Sequence, residues 1–332
     1  MTLKHIFPAW AGILRGRKPF LSIEITRACP LKCPGCYAYE PEHLQSNGSL
    51  SDLADLKGEE LVAGVLKLVR RFRPLHLSIV GGEPLLRFRE LDVLLPELDA
   101  MGIEVQVVTS AVRPIPLAWS ELPNLRLVVS VDGLQPEHDR RRAPATYDRI
   151  LKHIAGHHLN VHCTITRQMV HRPHYFADFA RFWSEREEVH KIWFSLFTPQ
   201  QGDHSPERLA PRDRIELLDE LARLRNVFEK IEVPDRVLDG LLHPPAAPHK
   251  CIFSQVTTCI SADMATAVTP CQFGGKPVCT ECGCVASAAF ASIGKYKLAG
   301  CLPVSQVFSL STKVGKVFSR AEGMARAASK AI

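Results

Sequence analysis

No uncharged apolar stretch in the 332-residue chain approaches the roughly 20 residues that a membrane-spanning helix needs. The N-terminal apolar run Ile6–Leu14 is short and leads into Arg15-Gly16-Arg17-Lys18 without a small-residue cleavage site, so it does not read as a secretory signal. Without an export signal the chain is expected in the cytoplasm, where 11 cysteines argue against a disulfide framework and towards metal. A strong excess of one charge is missing too: 41 basic and 35 acidic side chains leave +6, too little to argue for nucleic acid. With 46% hydrophobic and 23% charged residues, the composition is that of a packed protein and excludes disorder.

The averages hide structure. Residues 1–20 hold Lys4, Arg15, Arg17 and Lys18 and no acid, and residues 303–332 hold five bases against Glu322, so the body between them is slightly acidic. Three cysteines lie at 29, 33 and 36, one lies alone at 163, and seven lie between 251 and 301. Between the two groups, β-rich runs at Phe20–Thr26, Leu75–Val80, Glu104–Thr109, Leu125–Val131, Asn160–Thr166 and Lys191–Phe197 are short and apolar enough to be buried on both faces. Helical patterns at Lys57–Phe72, Phe88–Met101, Thr146–Gly156, His174–Arg186 and Pro211–Lys230 alternate with them. Alternation of this kind implies parallel pairing with right-handed crossovers. The expected fold is α/β, a partial (β/α)6 TIM-like barrel with a small cysteine-rich C-terminal extension; an open doubly wound sheet is the alternative.

The expected organisation is a basic N-terminal segment over 1–19, a core barrel over 20–240, a cysteine-rich module over 241–302 that begins at Pro244-Pro245-Ala246-Ala247-Pro248, and a basic amphipathic helix over 303–332. In that last segment apolar residues recur at 304, 307, 308, 314, 317, 318, 321 and 324 among Lys313, Lys316, Arg320, Arg326 and Lys330. This pattern suits either a membrane surface or a helix docked on the barrel.

The loop Cys29-Pro30-Leu31-Lys32-Cys33-Pro34-Gly35-Cys36 follows directly on the first strand. Three thiolates can hold three corners of a cubane iron–sulfur cluster and leave the fourth iron open to an outside chelator. Zinc is the alternative, but a closed zinc site needs a fourth thiolate or a histidine, and none lies within the loop.

Cys29-x-x-x-Cys33-x-x-Cys36 after a first barrel strand resembles the signature of the radical S-adenosylmethionine (radical SAM) superfamily. Two further stretches share the resemblance. Gly81-Gly82-Glu83-Pro84, after strand two, is similar to the family's motif for the methionine amino group of SAM; glycines permit a close approach and a glutamate offers a carboxylate to an ammonium. The stretch from Ser130 through Asp132-Gly133 to His138-Asp139 and Arg142 resembles a motif of radical SAM enzymes with extra cluster domains. The resemblance implies SAM-binding roles for Ser130, Asp132 and Arg142, and for Ser110 in Thr109-Ser110-Ala111, where the family often has Thr-Asn-Gly. Arg140 and Arg141 are expected in a solvated loop. His76 reads as structural, His157-His158 as a helix-end pair favouring the dipole, and Cys163 as core packing.

In the second group, Cys251, Cys259, Cys271, Cys279, Cys282, Cys284 and Cys301 are separated by 7, 11, 7, 2, 1 and 16 residues. Cys279-x-x-Cys282 with two cysteines upstream makes four thiolates, enough for one closed cluster or one zinc. The segment from Ile260 to Cys271 resembles the β-hairpin of the SPASM and Twitch extensions, except that Thr266 stands where they have a turn glycine. The later cysteine run of a full SPASM domain is absent. The resemblance implies a shortened, Twitch-like module with one auxiliary 4Fe-4S cluster on Cys259, Cys271, Cys279 and Cys282, with Cys251 as the main competitor and structural zinc as the alternative metal.

The family resemblance implies reductive cleavage of SAM to a 5′-deoxyadenosyl radical, hydrogen-atom abstraction, and an electron donor such as flavodoxin or ferredoxin. Extensions of this type point to a peptide substrate, although strand one by residue 20 leaves no length for an N-terminal peptide-recognition domain within this sequence. A lipid or other small molecule at a membrane surface is the second expectation. A non-catalytic iron–sulfur electron carrier is the third, and it would need neither Gly81-Gly82-Glu83-Pro84 nor Ser130.

Overall fold

A computed structural model describes residues 6–294 and the short pieces 297–298, 302–303, 310–311 and 314–315. Helix α1 (Ile6–Leu14) precedes β1 (Phe20–Glu24), and there follow α2 (Gly58–Phe72), β2 (His76–Val80), α3 (Phe88–Ala100), β3 (Glu104–Thr109), β4 (Leu125–Ser130), α4 (Gln135–Arg142), α5 (Tyr147–Ile154) and β5 (Leu159–Ile165). Beyond them lie α6 (Arg167–Val170), α7 (Tyr175–Ser184), β6 (Val189–Leu196), α8 (Pro211–Leu224) and α9 (Asp235–Leu242). The C-terminal part adds α10 (Ile252–Val256), β7 (Thr257–Ile260), α11 (Val285–Gly294) and a small antiparallel pair, β8 (Lys297–Leu298) with β9 (Leu302–Pro303).

The main sheet has seven strands in the order β6-β5-β4-β3-β2-β1-β7, all parallel and not closed. Six strands were expected; the seventh comes from the cysteine-rich segment and pairs with β1 from Phe20↔Thr257 to Ile23↔Ile260. At only four residues it is too short to show a period in the sequence.

Strand alternation sorts the two faces. Leu21, Ile23, Leu77, Ile79, Val105 and Val107 pack on the helices in one continuous core that also takes in Leu127, Val129, Val161, Cys163 and Phe194. The opposite face carries Ser22, Ser78, Gln106, Ser130, His162 and Ser195, aligned by the parallel register. Helix α2 is buried along Leu61, Val65, Leu66, Leu68 and Val69, with Glu59 and Glu60 at its start and Arg70 and Arg71 at its end complementing the peptide dipoles.

The C-terminal segment straps the two open edges of the sheet together. It enters as β7 beside β1 and returns along the end of β6, where Leu196 N–H donates to the Gly283 carbonyl at 2.9 Å and Gln200 pairs with Pro277. A Cβ on Gly283 would sit 2.1 Å from the Leu196 carbonyl oxygen, so this return requires glycine. Helix α11 docks on α9, where Gly240 lies against the Ala288 backbone. The expected helix over 303–332 falls almost wholly outside the described residues, as does Cys301. Among the described residues no helix is long and apolar enough to cross a membrane.

Candidate cofactor-binding site

The chain leaves β1 through Ile25, whose N–H donates to the Val80 carbonyl at 2.8 Å, and enters the cysteine loop. Asp55 anchors the loop's start, accepting from the Thr26 hydroxyl at 3.0 Å and the Arg27 N–H at 3.1 Å, and itself pairs with Arg87. Tyr39 closes the far end by donating to the Arg27 carbonyl at 2.7 Å. Cys29 and Cys33 pack with Leu31, Val112 and Ala145, and Cys36 packs with Ala38, Leu50 and Ala262. Burial pushes the Cys29 thiol up to about 12, and it raises Cys33 and Cys36 as well. Iron binding must displace those protons. The donor set, three half-buried thiols with no histidine, fits a four-iron cluster with one open iron. No three His, Cys, Asp or Glu side chains among the described residues converge on a single metal ion.

Gly81-Gly82-Glu83-Pro84 lies against this loop. Gly82 N–H donates to the Thr26 carbonyl and Glu83 N–H to the Ala28 carbonyl, both at 2.8 Å. Gly81 has φ +122, and a Cβ on Gly82 would stand 2.2 Å from the Ala28 carbonyl oxygen. The glycines are therefore required by the approach of the chain's own cysteine loop, a stricter demand than room for a ligand. The buried Glu83 carboxylate accepts from Leu85 N–H at 2.9 Å, from the Thr109 hydroxyl, and from both the N–H (2.8 Å) and the hydroxyl of Ser110. Those four donors fill its acceptor positions. In the structure Glu83 ties the ends of β2 and β3, and Ser110 shares that tie. Pro84 opens the short 3₁₀ turn Pro84–Arg87. The carbonyls of Gly81 and Gly82 have no donor among the described residues.

Ser130 ends β4, in register with His162 on β5. Asp132, just beyond, is buried; its carboxylate accepts from Arg142 Nε at 2.7 Å, Arg141 Nε at 3.1 Å and Thr164 N–H at 3.2 Å. Burial alone would raise this carboxyl, but the Arg142 and Arg141 guanidiniums hold it well below the usual range. His138 accepts from Asp132 N–H through Nδ1 at 3.0 Å, so its Nε2 carries the proton donated to the Ala145 carbonyl at 2.8 Å. Burial, then Arg142, lowers His138 to about 4 and keeps it neutral. The expected solvated loop is the helix α4, started by Pro136 in its first turn. Arg140 is exposed as expected, but Arg141 reaches across to Glu207 and to the Pro34 carbonyl (2.9 Å) within the cysteine loop.

The reading of single histidines changes in two places. His157 is buried, bridging the Ser120 hydroxyl at 2.9 Å and the Ile115 carbonyl at 3.0 Å. His162, which sequence reasoning passed over, stands on the polar face with Nε2 2.8 Å from the Ser195 hydroxyl, and burial lowers it to about 4. The polar alternation Asn160, His162, Thr164 within an otherwise apolar strand was the signal. Cys163 and His76 are structural, the first in the core and the second at the opposite end of β2 against Phe20.

Five cysteines of the second group, Cys251, Cys271, Cys279, Cys282 and Cys284, line one cavity of about 400 Å³ counting its mouth, beside Phe273. Cys251 Sγ lies 3.2 Å from the Ser287 hydroxyl, and Gln272 donates to Cys284 Sγ at 3.4 Å. Burial raises Cys271, Cys279, Cys282 and Cys284. Cys259 is not in this lining: it lies on β7, on the face it shares with Ser22, and packs with Leu44, Leu53 and Val268. The expected hairpin is present, with Ile260 paired to Ala267. Its turn places Met264, not residue 266, at positive φ (57°), and the Asp263 carboxylate holds it by accepting from Ala265 N–H, Thr266 N–H and the Thr266 hydroxyl. Thr266 therefore serves where a glycine was expected.

A family model described as the radical SAM superfamily matches residues 23–182. The 7-carboxy-7-deazaguanine synthase of Hyperthermus butylicus is 32% identical over 136 residues, 39% of this chain and 52% of that protein, so the match spans about half of the relative's length. Among solved structures, Streptococcus suis SuiB bound to S-adenosylmethionine superposes with TM-score 0.54 at 15% identity, over 78% of this chain and 60% of SuiB. SuiB bound to its precursor peptide SuiA gives TM-score 0.58 at 15% identity, over 92% and 74%, and anSMEcpe with bound AdoMet gives 0.54 at 16%, over 76% and 74%. At such identities the structures speak for the fold, a partial barrel like this one. The cysteine loop and the Gly-Gly-Glu-Pro turn both lie inside the matched residues 23–182, so this part of the chain is what matches the radical SAM superfamily.

Proposed function

We propose that the protein is a radical SAM enzyme that binds a 4Fe-4S cluster through Cys29, Cys33 and Cys36, cleaves SAM reductively and abstracts a hydrogen atom from a peptide substrate. The observation that carries the reading is convergence: the cysteine loop, Gly81–Glu83, Ser110, Ser130 and Asp132 all follow the C-terminal ends of β1 to β4, where barrel pockets open. When bound and reduced, the cluster supplies the electron that splits SAM into methionine and a 5′-deoxyadenosyl radical. The chain's own residues position and shield. The unpartnered Gly81 and Gly82 carbonyls face an ammonium's chemistry, Ser130 offers a hydroxyl, and Arg142, fixed by Asp132, offers positive charge to a carboxylate. Glu83 and Arg141 act indirectly, by fixing the loops that carry these groups.

The five-cysteine cavity supports an auxiliary 4Fe-4S cluster, with Cys271, Cys279 and Cys282 joined by Cys251 or Cys284. An auxiliary site of this kind, and the likeness to a fold that in SuiB binds a precursor peptide, favour a peptide. The second reading, a lipid or small molecule at a membrane surface, draws on α1, where Trp10 is 40% exposed beside Arg15 and Arg17. Reduction comes from a flavodoxin- or ferredoxin-type donor. The test is anaerobic reconstitution with iron and sulfide, then dithionite and SAM: 5′-deoxyadenosine should form and disappear in Cys36→Ala. An iron-loaded parent that forms none, with or without peptides, would leave an electron carrier as the better description.

A further inference from the structure

At the end of the sheet opposite the cysteine rim, the turn out of α1 and the turn out of α2 meet. Pro19, before β1, and Leu75, before β2, lie in the wall of a pocket of about 550 Å³ counting its mouth, whose charged lining is Arg15, Arg17, Lys18 and Arg73. Among the described residues no carboxylate lines it. Lys18 is engaged, donating to the Ser254 and Thr257 carbonyls at 3.1 and 2.9 Å. Arg15, Arg17 and Arg73 have no carboxylate, carbonyl or aromatic partner among the described residues, whereas Arg87, Arg141, Arg142 and Arg214 are each paired. Three like charges around one concavity raise its positive potential and favour an anion there.

Arg73 adds an independent observation. It caps α2 at φ +48, a left-handed position where glycine would be unstrained. The turn does not call for an arginine; what this side chain adds there is charge facing the pocket. We propose that Arg15, Arg17 and Arg73 form a binding site for a phosphoryl anion, separate from the SAM-binding rim. Several planar forks match the multiple oxygens and double charge of a phosphate better than the single charge of a carboxylate. The group belongs either to a soluble phosphorylated molecule or to a phospholipid headgroup; Trp10 beside the pocket residue Ala11 is partly exposed, with its indole N–H donating to Ser311 at 2.8 Å.

The site does not depend on the reading of the rim, so its test reads binding and not turnover. Full-length reconstituted protein is titrated with pyrophosphate at constant ionic strength against chloride, and floated with vesicles of phosphatidylcholine alone or mixed with phosphatidylglycerol. Binding of pyrophosphate or of the anionic vesicles is expected, weakened roughly tenfold or more in the triple variant Arg15→Gln, Arg17→Gln, Arg73→Gly. Pyrophosphate binding alone assigns a soluble ligand, and vesicle binding alone assigns a headgroup. Arg73→Gly by itself should weaken binding without lowering the thermal midpoint, because glycine relieves the left-handed turn. A parent that binds neither probe above chloride, or a triple variant that binds like the parent, overturns the site.

Discussion

At the rim, Cys29, Cys33 and Cys36 hang from the end of a buried strand, and their loop is bolted to its neighbours by Gly82 N–H, Glu83 N–H, Asp55, Tyr39 and Arg141. In the cavity, Cys251, Cys271, Cys279, Cys282 and Cys284 come from a helix start, a hairpin, a 3₁₀ turn and the approach to α11. Their thiols are tied by the Ser287, Gln272 and Thr198 side chains and by the backbone of Phe273, Cys284 and Ala286. Both are held in shape by the protein, but the cavity gathers more thiols than one cluster needs and leaves a choice among them. A short motif with strand-fixed partners specifies its ligands; a long-spaced set does not.

The largest expected effect tests that choice. Cys271→Ala should remove the iron bound at the cavity, whereas Cys259→Ala, which changes a packed side chain beside Leu44 and Val268, should keep it at a small loss of stability. Iron per chain and the thermal midpoint of both variants decide it. Equal iron loss would return Cys259 to the ligand set.

Next in size is Gly82→Ala. With a Cβ placed 2.2 Å from the Ala28 carbonyl oxygen, the turn or the cysteine loop must move, which typically costs about 1–3 kcal/mol or more. The urea midpoint should fall, together with SAM cleavage. An unchanged midpoint would mean that the rim is looser than its hydrogen bonds imply.

The smallest effect is a pH slope. His138, at about 4 in the folded chain against an ordinary 6.5, stays neutral where the unfolded chain takes up a proton. Its contribution is complete above pH 6.5 and declines as the pH falls towards 4, by at most about 1.4 kcal/mol per pH unit. Urea midpoints between those limits should fall less steeply for His138→Gln, which keeps both hydrogen-bonding roles without titrating. Parallel slopes would contradict the assignment.

Much of the core was readable along the chain. Strands β1 to β6 and helices α2, α3, α5, α7 and α8 appear where the short apolar runs and the helical periodicity place them, since each buries the apolar residues of its own pattern. Helix α4 was hidden because Gln135–Arg142 is almost wholly polar and is held by Asp132, Glu207 and His138 contacts, not by an apolar stripe. Strand β7 was too short for a period, and the Thr266 turn relies on an Asp263 side chain in place of a glycine.

The chain's local spacing carries the chemistry: three thiols within eight residues, two glycines before a glutamate, and the order of strands and helices are all set over short distances. Folding settles which of those groups are spent on one another. Glu83 meets Ser110, Arg141 meets Glu207, and the segment near Cys284 returns to the end of β6 across tens of residues of intervening chain. Sequence patterns report what a segment can bury or coordinate by itself. Contacts between distant segments depend on the sheet bringing strand ends together, so only the folded chain can say that Glu83 meets Ser110, that Cys259 packs with Leu44 and Val268 and that three arginines share one pocket.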